Sequence, residues 1–145
     1  MAKPLYVLNG PNLNRLGTRE PKIYGKTTLA QVEALCRKAA GRHKVEFRQT
    51  NAEHEMVDWI QEAIDRAAGI VINPAGFTFH SVPVLDALRM FEGPIVEVHI
   101  SNLARRDEAH RRSIMSGAVT GTVMGLGPEG YRIAVEAVLQ RLKKA

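Results

Sequence analysis

Cysteine is nearly missing from this chain of 145 residues: Cys36 stands alone. A single thiol cannot close an internal disulfide, so the sequence asks for no oxidising compartment, and a cytoplasmic location is expected. Aromatic residues make up only 6%, with one tryptophan. Few of them interleave with the basic residues, which argues against a stacking platform for nucleic acid. No apolar run nears the length that crosses a bilayer, and Lys3 and Pro4 interrupt the start before a signal core forms, so no membrane contact is expected. The histidines His43, His54, His80, His99 and His110 show no ligand spacing with cysteine or carboxylates, so no metal is expected. No lysine ends an apolar run, as Schiff-base chemistry would want. A P-loop is absent, and Gly125-Leu126-Gly127 followed by Gly130 fits a dinucleotide fingerprint only loosely. These absences leave acid–base chemistry without a cofactor.

What is present is ordinary globular material. Apolar residues are 45% and charged residues 24%, and the length suits one domain over 1–145. The net charge of +5 favours an anionic partner. Arg105, Arg106, Arg111 and Arg112 form the densest basic group, interrupted by Asp107 and Glu108. Arg141 to Lys144 fall in a last helical turn, where cations suit the helix dipole. This spread predicts a solvated surface and a small anionic ligand rather than nucleic acid.

Apolar runs alternate with amphipathic stretches. Leu5–Leu8, Val45–Gln49, Gly69–Asn73, Ile95–Ile100 and Val119–Met124 read as strands. Thr28–Ala40, Met56–Ala67, Val82–Phe91 and Tyr131–Leu142 read as helices, with Thr28 as a cap and Pro83 in a first turn. Such alternation predicts an α/β protein: a five-stranded parallel sheet between two helical layers, in the flavodoxin-like order 2-1-3-4-5.

Ligands of such sheets bind beyond the carboxyl ends of the strands. Here those ends read Asn9-Gly10-Pro11-Asn12, Thr50-Asn51, Asn73-Pro74-Ala75-Gly76 and His99-Ile100-Ser101-Asn102. Their convergence predicts a pocket rich in neutral hydrogen-bonding groups. The connection from Gly10 to Thr27 is long enough to serve as a lid and carries Arg19 and Tyr24. A phenol ordinarily loses its proton near pH 10 or about there, and an adjacent guanidinium stabilises the phenolate. Glu97 and His99 lie two apart on a strand and share a face. A carboxylate beside an imidazole keeps it protonated and oriented, as a general acid requires.

Leu8-Asn9-Gly10-Pro11-Asn12-Leu13, Leu16-Gly17, Arg19-Glu20-Pro21 and Tyr24-Gly25 resemble the signature of type II 3-dehydroquinate dehydratases. The resemblance continues through Gln49-Thr50-Asn51 with Glu53, Asn73-Pro74-Ala75-Gly76, Glu97 to Asn102, and Gly121 to Tyr131. It implies a flavodoxin-like fold, no cofactor, a homo-oligomer (a dodecamer built from trimers), and dehydration of 3-dehydroquinate in aromatic biosynthesis or quinate breakdown. It implies that Tyr24 removes a proton beside the ketone, with Arg19 as its activator. Asn12 would hold the water that stabilises the enolate. His99, oriented by Glu97, would protonate the leaving hydroxyl. Asn73 and the backbone of Ile100 and Ser101 would bind substrate, and Asp86 would reach a neighbouring subunit's site.

Three positions depart from the family pattern. Phe79 stands where a substrate-binding histidine is usual, His110 where an arginine is usual, and His54 where a glycine is usual. His80 is the candidate to replace the lost imidazole if the chain there is irregular; in a helix one step would turn it away by about 100°. Three readings stay open at this level: the dehydratase with a modified clamp, a paralogue acting on a related hydroxylated keto acid, and a catalytically weak binding protein.

Overall fold

The computed structural model describes residues 2–144. Five strands, β1 (Leu5–Asn9), β2 (Val45–Gln49), β3 (Gly69–Asn73), β4 (Ile95–His99) and β5 (Gly121–Met124), form one sheet in the order β2-β1-β3-β4-β5. Every pairing is parallel. The helices are α1 (Pro21–Tyr24), α2 (Leu29–Ala40), α3 (Glu53–Arg66), α4 (Val82–Arg89) and α5 (Glu129–Lys143). The expected sheet order is the one found.

Side chains alternate across the sheet and so build two cores. Val7, Val71 and Val98 pack with Val32 and Cys36 of α2 and Val135 of α5. Tyr6, Leu8, Ile70 and Ile72 pack with Met56 and Ile60 of α3 and Leu88 of α4. The Cys36 thiol is fully buried, and burial pushes its pKa up to about 12. Thr28 and Gln31 close a reciprocal capping box at the start of α2. Ser81 caps α4, and Pro83 occupies its first turn.

The boundaries differ where side chains take over backbone pairing. β5 begins at Gly121 rather than Val119, because the Thr120 hydroxyl accepts the Ile95 N–H that a longer strand would have paired. A 3₁₀ turn over Ile114–Gly117 also draws the Val119 N–H to the Met115 carbonyl. α3 starts at Glu53, ahead of its first buried apolar residue, with Glu53 and Glu55 at the positive end of the helix dipole. The connections after β1, β3 and β4 condense into short 3₁₀ turns at Leu13–Arg15, Ala75–Phe79, Leu103–Arg105 and Glu108–His110. Among the described residues no helix is long and apolar enough to cross a membrane.

The ends of β1 and β3 are joined closely. Asn9 is in register with Asn73, and the Gly10 N–H donates to the Asn73 carbonyl at 2.8 Å. A Cβ on Gly10 would stand 2.2 Å from the Pro74 carbonyl oxygen. Glycine is therefore required by the approach of two backbones. Gly10→Ala is expected to destabilise the fold by about 1–3 kcal/mol, the usual range for overpacking, read as a lower urea midpoint; an unchanged midpoint would show that the strand ends separate freely.

Candidate active site

A cleft opens beyond the carboxyl ends of β1, β3 and β4. Pro11, Asn12 and Leu13 line it from the end of β1, and Arg19 and Tyr24 from the long connection. Asn73, Ala75, Gly76 and Phe79 follow β3, while His99, Ile100, Ser101, Leu103, Arg106 and His110 come from β4 and the chain after it. No aspartate or glutamate is among these lining residues. Arg19 is paired with Glu20, outside the lining, at 3.3 Å; two guanidinium groups and no carboxylate in the lining make the cleft suited to an anion.

Tyr24 sits at the end of α1, a single turn entered through a left-handed Glu20 (φ 36°) and left through a left-handed Gly25 (φ 74°). Its ring belongs to the α2/α5 core. The Arg19 guanidinium lies 4.2 Å from the ring centroid. Arg106 Nη1 donates to Tyr24 Oη at 2.9 Å. The structure thus brings Arg19 and Tyr24 together and adds Arg106, which the sequence pattern shows only as one of a basic group. The one available signal is its place on the connection that follows His99.

Glu97 and His99 share the α3/α4 face of β4 and touch, with His99 Nε2 at 2.6 Å from Glu97 Oε2. Thr78 Oγ1 donates to the same oxygen at 2.8 Å, and Ser113 Oγ lies within 2.9 Å of both carboxylate oxygens. Burial by itself would raise the Glu97 carboxyl, but hydrogen bonds from His99, Ser113 and Thr78 and the charge of His99 outweigh it and hold the group below the ordinary value. An ionised carboxylate only accepts, so Nε2 carries the proton in this contact and Nδ1 is the nitrogen left for the cleft. Thr78 and Ser113 had no signature in the sequence; their hydroxyls meet Glu97 only through the 3₁₀ turn after β3 and the loop before β5.

The asparagines divide. Asn12 (φ 70°) and Asn73 line the cleft. Asn51 instead accepts the Asn12 N–H at 2.9 Å, and Asn102 caps the following turn. Asn9 is fully buried: its Nδ2 donates to the Arg48 carbonyl at 3.0 Å, and its Oδ1 accepts from Tyr131 Oη at 2.8 Å. Tyr131 Oη in turn accepts from Asn73 Nδ2 at 2.8 Å. The rim is richer in loop-bracing amides than in free ones.

Ile100 and Ser101 line the cleft as expected residues of the β4 end. Phe79 also lines it, and the ring of His110 stands edge-on to it, with centroids 5.2 Å apart at 82°. His110 Nδ1 is held 2.8 Å from Asp107 Oδ1. His80 does not enter the cleft. The 3₁₀ turn ends at Phe79, and His80 is left exposed beyond it, outside the lining. Asp86 is exposed on α4 and also outside the cleft of its own chain.

Fold and site together define a flavodoxin-like α/β protein with a cleft at its carboxyl edge that holds Tyr24 beside two guanidinium groups and His99 beside a buried carboxylate. A family model for dehydroquinase class II matches residues 3–139. The 3-dehydroquinate dehydratase of Phenylobacterium zucineum is 54% identical over 140 residues, covering 94% of this chain and 96% of the relative. The 3-dehydroquinate dehydratase 2 of Agrobacterium fabrum is 50% identical over 142 residues, 96% of each chain. The crystal structure of type II dehydroquinase from Propionibacterium acnes superposes with a TM-score of 0.90 at 44% identity, covering 97% of this chain and 98% of that one. The chain belongs to the class II dehydroquinase family.

The Glu97 geometry sets a pH dependence of stability. Its folded value lies below the ordinary 4.5, so the ionised carboxylate stabilises the fold. That contribution is complete above 4.5 and is lost as the pH falls through the folded value. Glu97→Gln removes it at every pH. The gap in thermal midpoint between wild type and Glu97→Gln is therefore expected to be wide at neutral pH and to narrow in acid; a constant gap would show that the carboxylate is not the stabilising form.

Proposed function

We propose that the protein dehydrates 3-dehydroquinate to 3-dehydroshikimate without a cofactor, with Tyr24 as base and His99 as acid. The activity is the one that the names of its relatives state. The observation that carries the proton-transfer assignment is the pairing, in one cleft without carboxylates, of a phenol flanked by two guanidinium groups and an imidazole bound to a buried carboxylate. As a phenolate, Tyr24 takes a proton from the carbon beside the ketone, and the electron pair moves into an enolate. Positive charge from Arg19 and Arg106 offsets the charge on the phenolate oxygen. Asn12 holds a water against the enolate oxygen. As the enolate collapses, the carbon–oxygen bond breaks and His99 gives its proton to the departing hydroxyl, which leaves as water. Return of the Tyr24 proton to solvent and uptake of one at His99 restore the starting state. Asn73 and the chain at Ile100 and Ser101 bind the substrate, the latter at its carboxylate.

The active form in this proposal is the trimer-based dodecamer, in which Asp86 contributes to a neighbouring cleft. Support comes from the outer side of α4, where Asp86 is exposed and Val82 and Met90 leave about half of their surface uncovered. A cytoplasmic location completes the proposal.

One observation favours a second reading, a related hydroxylated keto acid as substrate. Phe79 and His110 form a wall of the cleft, and a phenyl ring offers a ligand hydroxyl no hydrogen bond. A hydrogen bond left unmade to a polar ligand group typically costs about 1–3 kcal/mol, tenfold to a hundredfold or so in affinity. On 3-dehydroquinate the wild type is accordingly expected to show a raised KM.

Two measurements test the assignment by absorbance of the enone product. Tyr24→Phe is expected to lower kcat at least ~10²-fold while the protein stays folded and assembled; a near-normal rate would remove Tyr24 as the base. The double change Phe79→His with His110→Arg is expected to raise kcat/KM on 3-dehydroquinate. No gain, with a slow wild type, would favour the second reading; a fast wild type would show that the altered wall leaves the ordinary activity intact.

A further inference from the structure

We propose that Tyr131 is a positioning residue for the cleft: through its hydroxyl it fixes the side-chain amide of Asn73 so that one Nδ2 hydrogen is presented to an acceptor oxygen of the substrate. The proposal rests on the reading of Asn73 as a substrate-binding residue. Tyr131 does not line the cleft; it descends from the first turn of α5 between two strands.

Hydrogen-bond direction fixes the amide. Asn9 and Asn73 are register partners at the ends of β1 and β3, and Tyr131 Oη lies 2.8 Å from both side chains. At one end the chain of bonds is anchored on the Arg48 carbonyl, which only accepts, so the Asn9 group facing it is Nδ2 and the group facing Tyr131 is Oδ1. The Tyr131 proton is thereby committed to Asn9. At the other end the Ala75 N–H, which only donates, takes Asn73 Oδ1 at 3.1 Å. Asn73 must then turn Nδ2 toward the tyrosine oxygen. Four bonds run in one sense, Ala75 to Asn73 to Tyr131 to Asn9 to Arg48, and none can be reversed without facing two donors or two acceptors. Bonds aligned in this way polarise one another. A primary amide has two hydrogens on nitrogen, and Tyr131 engages one. The second is what Asn73, itself a lining residue, has available for a ligand.

A second observation supports a positioning role over simple packing. Ala75, the next lining residue after Asn73, has φ +51°, a conformation rarely held by a residue with a Cβ. Its N–H is the group clamped by Asn73 Oδ1. The amide held by Tyr131 therefore also sets the backbone at the cleft wall. Burying a phenol hydroxyl among apolar neighbours is unfavourable unless it is bonded. Phenylalanine would fill the same space without that hydroxyl but would leave the Asn73 amide held through Oδ1 alone, by the Ala75 N–H.

The test is Tyr131→Phe in the assembled enzyme, measured on 3-dehydroquinate. KM is expected to rise about tenfold, with kcat changed far less. Asn73→Ala should raise KM, and Asn73→Ala combined with Tyr131→Phe should be no worse than Asn73→Ala alone. A crystal structure of Tyr131→Phe reads the geometry without any activity and is expected to show the Asn73 amide rotated and Ala75 relaxed from its positive φ. A lowered thermal midpoint with unchanged KM and an unmoved Asn73 would overturn the proposal, as would effects of the two substitutions that multiply. A wild type inactive on 3-dehydroquinate, with Asn73 rotated in the variant, would instead remove the substrate assignment and leave the positioning role standing. If Tyr131→Phe fails to fold, Asn9→Ala deprives the hydroxyl of its acceptor and is expected to raise KM in the same way; a normal KM there overturns the proposal.

Discussion

Two parallel strands, β1 and β3, end side by side, and the rest of the cleft is referred to that junction. The Gly10 N–H closes on the Asn73 carbonyl, and the space beside it is filled by the Pro74 backbone. With the two chains locked at this distance, the side chains of Asn9 and Asn73 fall on the same face of the sheet. Tyr131 of α5 is long enough to bridge them. One constraint on backbone approach thus fixes the end of the sheet, the seat of α5 and the orientation of an amide in the cleft wall.

The opposite face of the sheet carries the charge. Glu97 is fully buried yet ionised because three groups donate to it from three segments: His99 from its own strand, Thr78 from the turn after β3, and Ser113 from the loop before β5. This places the one carboxylate of the machinery behind the imidazole and out of the lining. The cleft therefore presents only positive and neutral groups, while the negative charge acts through His99. An anion entering it meets Arg106, and Arg19 whose guanidinium also reaches the Glu20 carboxylate at 3.3 Å outside the lining.

How much of this is legible in the sequence depends on the range of each contact. The strands show as short apolar runs or, in β2, as alternation of apolar and polar residues, and their alternation with amphipathic stretches is enough for the sheet order. Glu97 and His99 are legible because two residues in a strand share a face. Arg19 and Tyr24 are legible because one connection carries both, close together in the chain. Arg106 is not, because it meets Tyr24 across 82 positions, and nothing local separates it from Arg105 or Arg111. Tyr131 reads as one more apolar residue in the periodicity of α5, which its ring is; its hydroxyl has partners 58 and 122 positions away. His80 shows the limit from the other side. The local pattern allows it to enter the cleft, and only the ending of a 3₁₀ turn at Phe79 decides that it does not. Family membership adds the substrate class, which no side-chain contact supplies.

The connection between β4 and β5 has an architectural consequence. Within a short length of chain it carries Arg106, which reaches the phenol, His110, which forms a wall with Phe79, and Ser113, which holds the buried carboxylate. The scaffold strands and Tyr24 itself lie elsewhere. This segment is therefore an exchangeable cassette. Descent with change in this one stretch can alter the surroundings of Tyr24, of Glu97 and of Phe79 together, while the sheet that supports them is left as it is. Only Phe79, which follows β3, stands outside this stretch as the other half of the wall.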